Sequence, residues 1–243
     1  VKKRPVYSVV PIAQCYEKTG RKPYGVRWVD INKGDNLNPE YRSRLVCKQI
    51  TGTKSIENFA ATPPGEALRY LISLCMTSTT KAECNGMPMK RMQFLDVRRA
   101  HFHSKCNEEL YIELPDEDPD KREGYCGKLE EYLYGTKQAA KAWENEYIDA
   151  MTLVLGFRMG LHSPCLFYHE TRDIHAMIHG DDFILVGKSE DLAWATDQLK
   201  EIFEIKDRGV LSPPSNHCHQ LEPLSTNTTN TSTIREAHAL ISG

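Results

Sequence analysis

Residues 176–186 read AMIHGDDFILV, which is the most informative pattern in the chain. Two apolar runs flank turn-forming residues, and Gly180 tolerates the backbone angles that a tight turn requires. The pattern predicts two antiparallel strands joined by a hairpin whose tip carries Asp181 and Asp182. Adjacent carboxylates repel each other, and a divalent cation would relieve that repulsion. A solvated acidic turn is the alternative interpretation, because acidic residues are common in turns.

A third aspartate ends a separate apolar run upstream. Residues 92–95 read MQFL, and Asp96 follows them. If this strand neighbours the hairpin in one sheet, three carboxylates converge at one edge. Three carboxylates can hold two Mg²⁺ ions about 3.5–4 Å apart, the arrangement used for phosphoryl transfer. The sequence therefore predicts a site for two Mg²⁺ ions, with Mn²⁺ as the alternative, although solvated surface carboxylates would give the same pattern.

The remaining patterns favour a mixed architecture of helices and antiparallel strands. The predicted strands cover residues 25–31, 44–50, 92–97, 110–114, 125–129, 166–168, 174–178 and 183–186. One helix begins at Pro63-Pro64-Gly65, a second covers residues 138–155, and a third covers residues 190–203 with Ser189 as its cap. From residue 92 onward the order is strand, helix, paired strands, helix, which is an α+β pattern.

The composition excludes several classes of protein. Of the 243 residues, 40% are hydrophobic and 26% are charged, as in globular proteins. No run approaches the roughly 20 apolar residues that span a bilayer, so we expect no membrane partner. The first residues lack a secretory apolar core, so we expect an intracellular protein, cytoplasmic or nuclear, and not a secreted one. The eight cysteines form no C-x-x-C pair, and His101, His103 and Cys106 lack a fourth zinc ligand at finger-like spacing.

The net charge of −2 hides an asymmetry along the chain. Residues 1–54 contain 12 Lys/Arg against 4 Asp/Glu, a local balance of +8, and the remainder has a balance of −10. A basic front section can present a phosphate-binding surface. A solvated basic face is the alternative interpretation.

Residues 133–143, LYGTKQAAKAW, resemble a known family. The family is the reverse transcriptase domain of copia-type retrotransposon Pol polyproteins, which has LYGLKQAPRAW here. Four further segments resemble the family's YKARLVA, LDVKTAFLHG, EEVYM and YVDDIL, namely YRSRLV at 41–46, FLDVRRAHFH at 94–103, EELYI at 108–112 and IHGDDFI at 178–184. The match covers about residues 25–211 in the right order, and several motifs at compatible spacing are more specific than any one of them.

The resemblance implies the fingers and palm of a right-hand polymerase, with an antiparallel palm sheet and helices packed on one face of it. It implies RNA-directed DNA polymerase activity, with Asp96, Asp181 and Asp182 as the catalytic metal-binding carboxylates. The implied partners are an RNA or DNA template with its primer and deoxynucleoside triphosphates. The oligomeric state is left open.

The resemblance also implies a nucleotide-binding set of five residues. Gln138 is expected near the incoming nucleotide, and Arg42, Arg44 or Lys48 near its triphosphate, which suits guanidinium and ammonium groups. His101 stands where the family has an aromatic residue that screens out the ribose 2′-OH. A departure precedes the two aspartates, where His179-Gly180 replaces Tyr-Val.

We expect three segments: an irregular lead-in at 1–24, the reverse transcriptase domain at 25–211, and a disordered tail rich in Ser and Thr at 212–243. The family continues beyond the position of Leu211 into a thumb and an RNase H domain, which we expect to be absent, so the chain is expected to be an incomplete or decayed copy. Two alternatives stay open. One is an inactive remnant that binds nucleic acid weakly, and the other is a metal-dependent phosphohydrolase that uses the same carboxylates.

Overall fold

A computed structural model of the chain describes residues 5–49, 60–85 and 89–211. The described elements, in chain order, are β1 (Tyr7–Pro11), α1 (Ile12–Thr19), β2 (Val26–Asn32), β3 (Tyr41–Cys47), α2 (Gly65–Asn85), β4 (Arg91–Val97), a 3₁₀ turn (Ala100–His103), β5 (Tyr111–Ile112), β6 (Tyr125–Leu129), α3 (Ala139–Asp149), a π-helical turn (Ala150–Val154), β7 (Arg158–Met159), β8 (Leu166–His169), β9 (Ile174–His179), β10 (Asp182–Gly187), α4 (Ser189–Ile202) and β11 (Ile205–Leu211). The predicted tail at 212–243 lies outside the described residues. Among the described helices, none combines the length and apolar character needed to cross a membrane.

The chain divides into two compact units. Of the described residues, one unit contains 61–85, 89–98 and 147–211, and we call it the large-sheet unit. The other contains 5–49, 60 and 99–146, and we call it the small-sheet unit. Both units combine helices with antiparallel strands, which confirms the prediction of an α+β fold.

The large-sheet unit is built on six antiparallel strands in the order β11-β4-β10-β9-β8-β7. The predicted hairpin is confirmed as β9 and β10, and the upstream strand that carries Asp96 is their neighbour β4. Strands β7 and β11, at the two edges of the sheet, were not predicted from the sequence.

Helices cover both faces of this sheet, so the expectation of helices on one face is wrong. Ile184 and Val186 of β10 pack with Ala67 and Leu71 of α2. Phe183 points to the opposite face, where its ring contacts Tyr147 of α3 and Phe203 at the end of α4. The physical reason lies in β10 itself, because residues on both of its faces are apolar and buried, and each face therefore needs a covering layer.

The helix boundaries differ in two places from the sequence-based expectation. Ser189 is the first residue of α4 and not its cap, since Lys188 occupies the cap position. The helix predicted over 138–155 is α-helical over Ala139–Asp149 and continues as the π-helical turn. Gly156 then follows with a φ of +75°.

The small-sheet unit contains a three-stranded sheet, ordered β1-β6-β5, and the predicted hairpin of β2 and β3. The expectation of an irregular segment over residues 1–24 is wrong for residues 7–19, which form β1 and α1. Strand β1 pairs with β6 along five positions, from Tyr7↔Leu129 to Pro11↔Tyr125. A long-range partner therefore orders a short apolar run, VYSVV at 6–10, that lies between charged residues of the chain.

A polar cluster lies in the large-sheet unit, where His175 of β9 meets Tyr70 of α2. The Tyr70 hydroxyl lies 3.3 Å from His175 Nδ1. The Lys90 ammonium pairs with the Asp173 carboxylate at 2.7 Å, and that carboxylate lies 3.5 Å from His175 Nε2. Burial and the nearby Lys90 charge outweigh the Asp173 carboxylate and lower the pKa of His175 below 6.5.

We predict that His175 makes the chain less stable in acid. Because its folded-state pKa is lowered, its contribution is fully present above pH 6.5 and is lost as the pH falls below that value. The free energy of unfolding of the wild type should therefore fall between about pH 7.5 and about pH 5.5 by more than that of His175→Gln. The exposed His162→Gln is the matched control and should follow the wild type. Equal losses in His175→Gln and the wild type would contradict the prediction.

Candidate active site

The hairpin tip is a two-residue loop. His179 pairs with Asp182, which leaves Gly180 and Asp181 between the strands. Gly180 has a φ of +63°, whereas Asp181 keeps a negative φ, as in a type II′ turn with glycine first. The turn therefore requires the glycine that replaces the family's valine, and it leaves the Asp181 and Asp182 side chains exposed.

Strand β4 places Asp96 directly opposite Asp182. The Val97 amide donates to the Asp181 carbonyl at 2.8 Å. This hydrogen bond makes the Asp96–Asp182 position a non-hydrogen-bonded pair, in which the Cα atoms are only about 4.5 Å apart and the side chains lie on one face of the sheet. The structure thus brings two of the three predicted carboxylates to a single position.

The electrostatics of this pair are unfavourable unless a cation is present. Like charges that are directly opposite in a sheet destabilise it. Arg208 of β11 supplies a cation, since its Nη2 donates to Asp96 Oδ2 at 2.7 Å. The Asp96 side chain is only 16% exposed. Sequence reasoning missed Arg208, because it lies in the polar run KDRG, which shows no apolar alternation.

The donor set suits a hard divalent ion, because carboxylate oxygens are the ligands that Mg²⁺ and Mn²⁺ prefer. In the part of the chain that the structure describes, no group of three or more His, Cys, Asp and Glu side chains is placed to hold a metal ion. The cross-strand pair of Asp96 and Asp182 fits such an ion by its chemistry and by its register. The assignment of Asp96, Asp181 and Asp182 as metal ligands stays a prediction.

In the small-sheet unit, Tyr134 brings together two of the residues expected to bind the nucleotide. The guanidinium carbon of Arg44 lies 5.5 Å from the centre of the Tyr134 ring. The His101 ring packs against the same ring, with 4.4 Å between the ring centres. The sequence motif alone assigned no role to Tyr134. The feature that could have indicated one is its position in LYGTKQ, next to a glycine.

The glycine after Tyr134, Gly135, allows the backbone to pass very close to β3. Tyr134 bridges to Val46 of β3, and the Cys47 amide donates to the Tyr134 carbonyl at 2.8 Å. Gly135 has a φ of +83°, and a Cβ atom there would overlap the Cys47 carbonyl oxygen and lie 2.6 Å from Val46 Cγ1. The close approach of two backbones therefore fixes the Tyr134 ring beside β3.

Two other predicted nucleotide-binding residues belong to β3 or directly follow it. Arg42 is exposed, shares a face of β3 with Arg44 and pairs with Glu40 at 3.1 Å. Lys48 is exposed just after β3.

Gln138 accepts a hydrogen bond from the Tyr132 hydroxyl at 3.3 Å. It lines a cavity of about 420 Å³ with the basic residues Arg21, Lys22 and Lys137, rather than with Arg42, Arg44 or Lys48. Sequence reasoning assigned Arg21 and Lys22 to the lead-in and gave them no role.

Comparison with known proteins identifies the family. The family model described as reverse transcriptase (RNA-dependent DNA polymerase) matches residues 6–214, and the chain belongs to this family. The match confirms the reverse transcriptase identity inferred from the sequence motifs. It begins at residue 6, so it includes β1 and α1.

The chain is also similar to plant transposon polyproteins. It is 29% identical over 201 residues to the retrovirus-related Pol polyprotein from transposon TNT 1-94 of Nicotiana tabacum, covering 78% of this chain and 14% of that protein. It is 28% identical over 197 residues to the polyprotein from transposon RE1 of Arabidopsis thaliana, covering 77% of this chain and 13% of that protein. The RE2 polyprotein of the same plant is 27% identical over 195 residues, which are 75% of this chain and 12% of that protein. The chain thus spans about one-seventh or less of these relatives.

We predict that Gly135→Ala destabilises the chain more than Gly124→Ala. Both glycines lie in the small-sheet unit with φ near +80°, but a Cβ at Gly124 would meet nothing within 4 Å. Gly124→Ala should cost only the left-handed backbone strain, about 1–2 kcal/mol. Gly135→Ala should cost a further 1–3 kcal/mol or so, because it forces β3 and Tyr134 apart. Free energies of unfolding from denaturant titration measure both, and equal losses would show that the close approach is unimportant.

Proposed function

We propose that this chain carries the catalytic core of an RNA-directed DNA polymerase, which adds deoxynucleotides to a primer paired with an RNA or DNA template. The observation that carries the proposal is the opposition of Asp96 and Asp182 across β4 and β10, next to the hairpin tip, in a chain of the reverse transcriptase family. In this proposal the large-sheet unit is the palm and the small-sheet unit is the fingers.

The proposal assigns Asp96, Asp181 and Asp182 to two Mg²⁺ ions, with Mn²⁺ as the alternative. When bound, these ions would lower the pKa of the primer 3′-hydroxyl and stabilise the departing pyrophosphate. The chain's own contribution is positioning. The β4–β10 register fixes two carboxylates on one face, and the hairpin tip next to them is open, since a Cβ at Gly180 would meet nothing within 4 Å.

The small-sheet unit supplies the groups that we assign to the nucleotide. Arg42, Arg44 and Lys48 would bind the triphosphate oxygens, and Gln138 would lie near the incoming nucleotide. The packing of His101 against Tyr134 supports a screening role for His101, because the larger Tyr134 ring lies 4.4 Å from the imidazole, centre to centre, and limits its movement.

Primer extension tests the proposal directly. We expect the chain, with Mg²⁺ and a primed RNA template, to add few nucleotides, since residues 212–243 stand where the family has its thumb but do not resemble it, and the rate falls sharply when the primer is misplaced. A chimera that replaces residues 212–243 with a family-like continuation should extend the primer further. Asp182→Asn and Asp96→Asn should abolish extension by the chimera, whereas Asp197→Asn, an exposed aspartate of α4, should leave it unchanged.

The outcomes separate the alternatives. Long products from the unmodified chain would show that it is not a decayed copy and that residues 212–243 do not limit synthesis. Phosphate release without a primer, lost in Asp182→Asn, would favour the phosphohydrolase. Salt-sensitive binding of nucleic acid with no extension by the chain or the chimera would favour the inactive remnant.

A further inference from the structure

Arg208 stands at a β-bulge beside the carboxylate pair. The register of β11 against β4 passes from Asp207↔Leu95 to Gly209↔Phe94, which leaves Arg208 without an opposite residue in β4. Bulges of this kind redirect a side chain and are frequent next to active sites. Here the redirected side chain is a guanidinium that reaches Asp96.

The bulge is held in place from two sides. The Asp207 carboxylate accepts one hydrogen bond from the Gly209 amide and another from Gln93 Nε2, both at 2.9 Å. Gln93 is buried in β4, and Gly209 has a φ of +106°, which only glycine adopts readily. These hydrogen bonds within and between β4 and β11 thus fix the position of Arg208.

The contact of Arg208 with Asp96 engages an oxygen that a metal ion could use. The two side chains are 35% and 16% exposed, and Nη2 lies 2.7 Å from Oδ2. A guanidinium keeps its charge at all relevant pH values and binds carboxylates in a fixed geometry. The guanidinium takes up one of the lone-pair sites that a divalent cation could use, and the like charges of the two cations repel each other.

We propose, building on the metal site of the proposed function, that Arg208 is a positioning residue that acts through Asp96 as its internal counter-ion. In the metal-free chain the guanidinium offsets the repulsion between Asp96 and Asp182. A divalent cation displaces Arg208 from Asp96 when it binds. Arg208 therefore raises the concentration of divalent cation that is needed to occupy the site.

Titration with Mn²⁺ alone measures this competition without an activity assay. Electron paramagnetic resonance reports free Mn²⁺ and so gives the dissociation constant of the chain. Arg208→Leu should bind Mn²⁺ about three- to tenfold more tightly than the wild type, since it removes the competing cation. Arg208→Lys should stay close to the wild type because it keeps the charge. Arg158→Leu, which removes an exposed arginine on the opposite edge strand β7, is the matched control and should change nothing.

The result distinguishes failure of this inference from failure of the metal site. Binding that is lost in Asp182→Asn, but equal or weaker in Arg208→Leu, would overturn the role of Arg208 and leave the metal site standing. If the chain binds no Mn²⁺, or binds it equally well after Asp182→Asn, both the metal site and the role of Arg208 are wrong.

A second measurement uses the unaltered Arg208 and does not depend on the folding of a variant. Phenylglyoxal modifies accessible guanidinium groups, and peptide mass spectrometry resolves each arginine. Mn²⁺ should increase the modification rate of Arg208 by releasing it from Asp96, and Asp182→Asn should remove the increase. A rate that Mn²⁺ leaves unchanged or lowers would contradict the displacement.

Discussion

The pairing of β4 with β10 determines where the chemistry of this chain can occur. Side chains alternate between the two faces of a strand, so a slip of one residue in this pairing would move Asp182 to the face opposite Asp96. Buried side chains on both faces resist that slip. Ile184 and Val186 are held against α2, and Phe183 is held against Tyr147 and Phe203. The apolar packing of the sheet therefore keeps two like charges at one position, where a cation is needed to offset their repulsion.

Much of this core was predictable because its signal is local. The run FILV after Asp182 predicts a buried strand, and the glycine before Asp181 predicts the tight turn. The same run could also have predicted the helices on both faces, since no polar residue interrupts it to mark an open face. The neighbour relation of β4 and β10 was only an assumption, because the pairing joins segments about 85 residues apart and no local pattern encodes it.

The elements that sequence reasoning missed obtain their order from distant partners. The sequence of strand β11 is polar because it is an edge strand with a bulge. Its residues Lys206, Asp207 and Arg208 are charged, and Asp207 and Arg208 form hydrogen bonds instead of packing in the core. Strand β1 is ordered by β6. Tyr134 was visible in its motif, but its role in joining Arg44 and His101 depends on the backbone approach at Gly135, which only the folded chain shows.

The most direct test of the account is a cross-link between the two opposed positions. Asp96→Cys combined with Asp182→Cys should form a disulfide under mild oxidation, because a Cα separation of about 4.5 Å in the non-hydrogen-bonded pair lies within the range that disulfides span. Asp96→Cys combined with Phe183→Cys should form none, since Phe183 points to the other face. Peptide mass spectrometry identifies the linked residues among the native cysteines. Linkage of 96 to 182 alone is the result that the account predicts, whereas linkage of 96 to 183 would show a slipped register and contradict the carboxylate site.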